Sequence, residues 1–142
     1  MCIEPLSSLA KMMTGNLSNE QLEGILEALP VDISFVDSKD TVRYYNRDGK
    51  RIFVRTPAVI GKKVQNCHPP KSLGPVNQIL SEFKSGRRDV AEFWIQMKGR
   101  MIFIRYFPVR DREGKYLGCL EVSEDITDVK KLEGEKRLLQ PV

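Results

Sequence analysis

This sequence predicts an α+β domain: a five-stranded antiparallel sheet, short helices on one of its faces, and helical extensions at both termini. Three observations carry that expectation. Residues 89–127 read as three strands in succession followed by a stop, with Ala91, Phe93, Ile95 and Met97 alternating with Glu92, Trp94 and Gln96. A period of two suits a sheet with one buried face. Two further strand-like runs, residues 31–37 and 41–45, lie upstream around Ser38-Lys39-Asp40. Between the two groups, Leu73, Val76, Ile79, Leu80 and Phe83 recur at helical spacing.

The chain of 142 residues is long enough for one domain with a core that needs no disulfide or metal. Its 41% apolar and 30% charged content is ordinary for a globular protein. No apolar run approaches the roughly 20 residues of a spanning helix, and a basic leader with an apolar core is missing from the start. A cytoplasmic protein without a membrane partner is expected. Three cysteines, Cys2, Cys67 and Cys119, are odd in number and form no paired motif, so free thiols are expected. The net charge of +4 is spread over dispersed Lys and Arg pairs, and no nucleic-acid partner is called for. All eleven aromatic residues lie between Phe35 and Tyr116, which places the core centrally.

In chain order, residues 1–15 carry a weak helical pattern in Leu6, Leu9, Met12 and Met13, ending at Gly15. Ser18 with Gln21 three residues later forms a capping box, and Leu22, Ile25, Leu26 and Leu29 then share a helical face until Pro30. The two strands follow, then a polar turn at residues 46–49. Gln65-Asn66-Cys67-His68-Pro69-Pro70 leads into the amphipathic helix, since proline suits a first helical turn. The run from Met101 to Val109 is almost wholly apolar, and Asp111-Arg112-Glu113-Gly114 is turn chemistry before residues 116–123. Thr127 is placed to cap a short tail helix in which Val129, Leu132 and Leu139 share a face and Gly134 is a weak point. The expected divisions are residues 1–17 as an N-terminal extension, 18–127 as the domain with its flanking helix, and 128–142 as a signalling or linker helix.

Gly114-x3-Gly118 leading a last strand into Asp125-Ile126-Thr127 resembles the end of a PAS sensor domain, and the opening hairpin and Ile60-Gly61 fit the same pattern. Leu29-Pro30-Val31-Asp32, residues 64–70 and residues 93–99 are similar to the PAS module found at the C-terminus of bacterial and archaeal proteins, often behind a hemerythrin-like domain. A hemerythrin-like diiron site needs several histidines, and this chain has one. The resemblance implies a non-catalytic sensory and dimerisation module that binds a small, apolar molecule between sheet and helices. It also implies that Asp125, Ile126 and Thr127 hand the signal to the tail.

Candidate residues follow. Phe35, Ile79, Phe93, Ile95, Phe103 and Phe107 are core or pocket-lining positions. His68 either rigidifies the helix entry or contacts a ligand. Arg105, within an apolar strand, either faces solvent or holds an anionic ligand group in the pocket. The alternative function is a haem- or metal-dependent redox sensor using His68 and Cys67, or a ligand-free oligomerisation module. The haem-binding pattern has its histidine inside the helix, where this chain has Leu73-Gly74-Pro75-Val76-Asn77. The spacing of Asn66-Cys67 from Gly61 argues against a photoactive flavin thiol, and no metal set is evident. Leu22, Ile25, Leu26, Leu29 and outward-facing Trp94 are the expected homodimer surface.

Overall fold

The computed structural model of the protein describes residues 9–141. Its first element corrects an expectation. Instead of a helix ending at Gly15, β1 (Leu9–Met12) and β2 (Gly15–Ser18) pair as a small antiparallel hairpin; the helical pattern in residues 1–8 lies outside the described residues. So short a helix is marginal in water. Gly15, at φ +111°, lets the chain double back after Met13-Thr14 and gives these backbone groups strand partners instead.

Helix α1 (Asn19–Ala28) begins as its sequence predicts. Ser18 Oγ accepts a hydrogen bond from the Gln21 amide at 2.9 Å, and Gln21 Oε1 accepts one from the Ser18 amide at 3.0 Å. Leu29 is extended, as a residue before proline is forced to be, and the helix stops there. Leu22, Leu26 and Leu29 are half-buried, while Ile25 is 48% exposed.

Strands β3 (Asp32–Asp37) and β4 (Val42–Tyr45) turn at Asp40, which takes φ +63°. Asp37 Oδ1 accepts from the Lys39 and Thr41 amides and holds that turn. Helix α2 (Pro70–Ser85) ends on Gly86 in the left-handed conformation. Then come β5 (Ala91–Met97), β6 (Arg100–Arg110) and β7 (Tyr116–Asp125). Lys98 and Gly99 both have positive φ, which matches the twist of a two-residue hairpin. Asp111 Oδ1 closes the second turn by accepting from the Glu113 and Lys115 amides.

The five strands order as β4-β3-β7-β6-β5, antiparallel throughout. The last strand is therefore the central one. On one face α2 packs Leu80 and Phe83 against Val36, Val42, Ala91 and Cys119. Register assigns the rest. Ala91, Phe93 and Ile95 stand opposite Tyr106, Ile104 and Ile102, and those stand opposite Glu121, Ser123 and Asp125. All of these share the α2 side, because side chains directly across a ladder point the same way. Phe103, Arg105 and Phe107 have the other parity and lie on the outer face with Trp94, Phe35, Leu120 and Val122.

A buried polar network fixes the loop after β4. Asn46, fully buried, accepts from the Ile33 amide at 2.7 Å and donates to the carbonyls of Leu26 and Val31. Arg51 donates to the Ile33 carbonyl and Ser34 Oγ, and Asp32 Oδ2 accepts from the Ile52 amide at 2.6 Å. Every member is tied to α1 or β3, so the segment that carries Phe53 and Arg55 is held against the sheet.

The tail corrects a second expectation. After a single 3-10 turn at Val129–Lys131, residues 132–141 form no helix. Thr127 does not cap one: its hydroxyl donates to Asp125 Oδ1 and accepts from the Met101 amide. Gly134 adopts φ +64°, and residues 128–141 are all exposed, so no burial offsets the cost of helix nucleation. No helix among the described residues is long and apolar enough to cross a membrane.

Candidate functional site

Local chemistry around two prolines sets up the site. His68 is extended because Pro69 follows it, and Pro70 occupies the first turn of α2 without needing a backbone donor. Inside that helix, Pro75 has no amide to give the Lys71 carbonyl, which weakens the first turns. The second half of α2 packs closely through Leu80 and Phe83, while Lys71, Ser72 and Pro75 at its opening border a cavity.

A cavity of about 600 Å³ lies between the start of α2, the residue 67–69 corner, the residue 53–55 segment and strands β5, β6 and β7. That volume suits a small organic molecule. Phe53, Val76, Ile79, Phe93, Ile95 and Ile104 make its apolar walls. The Phe93 and Tyr106 rings stack at 5.9 Å, and Phe93 remains 40% exposed. Polar atoms come from Arg55, His68, Lys71, Ser72, Tyr106 and Glu121. Two smaller clefts adjoin it, one between His68, Leu80 and Cys119, the other between Ser34, Val42 and Cys67; Glu121 borders all three.

Arg55 Nη2 and Glu121 Oε2 are 3.8 Å apart, with side chains 17% and 13% exposed. This pair sets the electrostatics of its neighbours. Burial pushes the His68 imidazole below its usual range and so favours the neutral ring, with Glu121 working in the opposite sense and Arg55 in the same. Burial, reinforced by Glu121, pushes the Tyr106 phenol upward and keeps it protonated. The Cys119 thiol is raised to about 12, chiefly by burial, and is unreactive as a nucleophile. Cys67 borders the cavity next to His68, but its thiol leans on the Lys63 carbonyl at 3.8 Å. Among the described residues no group of three or more His, Cys, Asp or Glu side chains is arranged to hold a metal ion.

Of the residues singled out in the sequence, His68, Ile79, Phe93 and Ile95 come together around this cavity. Phe35, Phe103, Arg105 and Phe107 do not; the strand register turns them to the opposite face. There the Arg105 guanidinium lies 4.9 Å from the Phe103 ring centre and 5.6 Å from that of Phe107. Stacking on two aromatic faces holds the cation outside the pocket. Trp94 is on that outer face and 64% exposed.

Arg55, Glu121 and Tyr106 escaped the sequence reading. Glu121 had a signal: it is a carboxylate at the same parity as Cys119 and Ser123 in a strand that is buried on both faces. Tyr106 had the parity of Ile102 and Ile104. Arg55 had none, since a loop cation acquires its place only from the network that anchors the loop.

Asp125, Ile126 and Thr127 sit where central strand β7 leaves the sheet. Arg100 Nε donates to Asp125 Oδ2 at 2.7 Å and Arg100 Nη2 to Asp128 Oδ2 at 3.1 Å. The Ile126 amide donates to the Met101 carbonyl at 2.9 Å. The Arg100 bond, helped by Thr127, lowers the Asp125 carboxyl to about 2.

Comparisons with known proteins agree with this architecture. A crystal structure of a C-terminal domain from Streptococcus mutans is 35% identical, with a TM-score of 0.81 over 88% of this chain and 97% of that one. The PAS domain of Bordetella pertussis BvgS is 18% identical, with a TM-score of 0.57 over 79% of this chain and 88% of that one. A PAS domain from Colwellia psychrerythraea is 17% identical, with a TM-score of 0.56 over 76% and 96%. The last two likenesses are of fold alone. No curated protein matches. The family model described as PAS domain matches residues 22–127, and this chain belongs to that family.

Proposed function

We propose that the protein is a sensory module that binds a small, mainly apolar molecule in the cavity between α2 and the sheet and passes the event to a partner through the end of β7. The observation that carries this is the cavity itself, about 600 Å³ with six apolar walls, bordered by central strand β7. A ligand that fits one arrangement of α2 and β7 better than another shifts the population between them. The weakened first turns of α2, with Pro70 and Pro75, are the natural place for that difference. Glu121, Ser123 and Asp125 lie on one face of β7, so a displacement at the cavity is two residue pairs from the Arg100 clasp.

Dimerisation belongs to the same reading, through exposed Ile25 on α1, with half-buried Leu22, Leu26 and Leu29 on the same helix, and through exposed Trp94 on the outer face of β5. A position at the C-terminal end of a longer, hemerythrin-associated protein is also part of it, supported by the likeness to a C-terminal domain. Haem is the second reading, favoured by one observation: the His68 ring borders the cavity and is biased to its neutral, ligating form.

Native mass spectrometry and an absorption spectrum of the freshly purified protein separate these readings, since haem gives a Soret band and a colourless ligand only added mass. Ile95→Trp supplies the control. Filling the cavity should abolish binding while costing about 1–3 kcal/mol of stability. A folded Ile95→Trp protein that retains the same ligand would remove Ile95 from the site.

A further inference from the structure

Resting on the cavity as the sensing site, the arrangement of its polar groups narrows the class of ligand. Arg55 and Glu121 are mostly buried yet 3.8 Å apart, longer than a hydrogen bond. Among the described residues no other group hydrogen-bonds the Arg55 guanidinium, in contrast to Arg51 one turn of the loop earlier, which has several partners. The Arg55 side chain keeps 17% exposure on the cavity wall, so its donors are open to an acceptor that enters the cavity. A guanidinium is a planar fork of donors matched to a carboxylate. Charge points the same way: Arg55 and Lys71 border the cavity against the single carboxylate of Glu121.

We infer that the ligand is an amphipathic monocarboxylate, its carboxylate bound by Arg55 and its hydrocarbon body lying among Phe53, Ile79, Phe93 and Ile95. Binding takes Arg55 from Glu121, and Glu121 is on the strand that ends at Asp125. The event that fills the pocket is therefore also the event that changes the pairing of β7. An amine would pair with Glu121 but meet Arg55 and Lys71 as like charges, and a neutral amide would leave the fork half-used.

The test uses four probes with the full chain: octanoate, octanamide, octylamine and the neutral fluorophore N-phenyl-1-naphthylamine. Octanoate should displace the fluorophore and bind about tenfold or more tightly than octanamide, the scale of a hydrogen bond to a charged group. Arg55→Gln should bring octanoate and octanamide to parity while fluorophore binding persists. Arg55→Lys, which keeps charge without the fork, should fall between, and Glu121→Gln should tighten octanoate by removing its competitor. Octanamide or octylamine binding as tightly as octanoate, or an unchanged ratio in Arg55→Gln, overturns the carboxylate assignment and leaves the cavity reading standing. Failure of all four probes to bind overturns both.

Discussion

The Phe35 ring lies over Gly118, diagonally along the β3–β7 ladder, on the outer face of the sheet. A Cβ at Gly118 would come within 2.7 Å of the ring's Cε2 and Cζ, and within 2.1 Å of the Val36 carbonyl oxygen. Gly118 also has φ +156°, a conformation side chains rarely adopt. The contact commits Phe35 to covering the backbone of the central strand, so this ring cannot serve the cavity on the other side. Gly118→Ala should cost at least about 2 kcal/mol, from overpacking and backbone strain together. Urea denaturation measures it, and a variant as stable as the parent would show that the two strands can separate freely here.

His68 is the only histidine, so it offers a clean pH signature. Its folded pKa lies below the ordinary 6.5 because burial disfavours the charged ring. The unfolded chain therefore binds the proton more readily. Stability should rise with pH through the window just below 6.5 and level off above it. His68→Gln should flatten that slope while the protein stays folded, since glutamine keeps hydrogen-bonding groups. Melting curves from pH 5 to 8 on both proteins decide it; an identical slope in the variant would place the titrating group elsewhere.

Asp125 shares that proton preference for a different reason, the hydrogen bond from Arg100 rather than burial. Arg100 holds its carboxyl at about 2, against an ordinary 3.8, so the folded state favours the ionised form. The stabilisation is present above 3.8 and is lost as pH falls through about 2. Asp125→Asn should remove that acid-sensitive component and loosen the Ile126 amide, which donates to Met101. Hydrogen exchange at Ile126 is the direct readout. Unchanged protection in the variant would mean that the clasp does not hold the end of β7.

The dimer proposal can be tested on exposed positions. Leu22 and Leu26 are half-buried, so placing glutamates there risks the fold as well as the interface. Ile25 and Trp94, at 48% and 64% exposure, are cleaner probes. Ile25→Glu with Trp94→Glu should convert a dimer into a monomer with little change in melting temperature. Sedimentation of the parent protein as a monomer at tens of micromolar would end the proposal.

The residues that were readable in advance share one property: their conformation is determined within a few neighbours. The Ser18–Gln21 box, the stop at Pro30 and the Asp111–Gly114 turn depend on contacts at most four residues away, and the alternation of β5 is written in its own seven residues. Both ends defied the helical pattern for a related reason. Periodicity in Leu9 and Met12, or in Val129 and Leu132, makes a helix only where a surface receives it. Gly15 found a strand partner, and the tail found no cover.

The sequence by itself determined the order of the main helices and strands from α1 to β7, the turns between the paired strands, and the alternation of β5, because backbone stereochemistry and short-range hydrogen bonding act along the chain. It could not say which parity of β6 faces the helix. An almost unbroken apolar run satisfies either choice, and so Phe103 and Phe107 stood level with Ile104 and Tyr106 as candidates. Tertiary structure made that decision through the register with β5 and β7. It alone also brought Arg55 to Glu121 across 66 positions of sequence, because burying an ionised pair requires a folded wall around it.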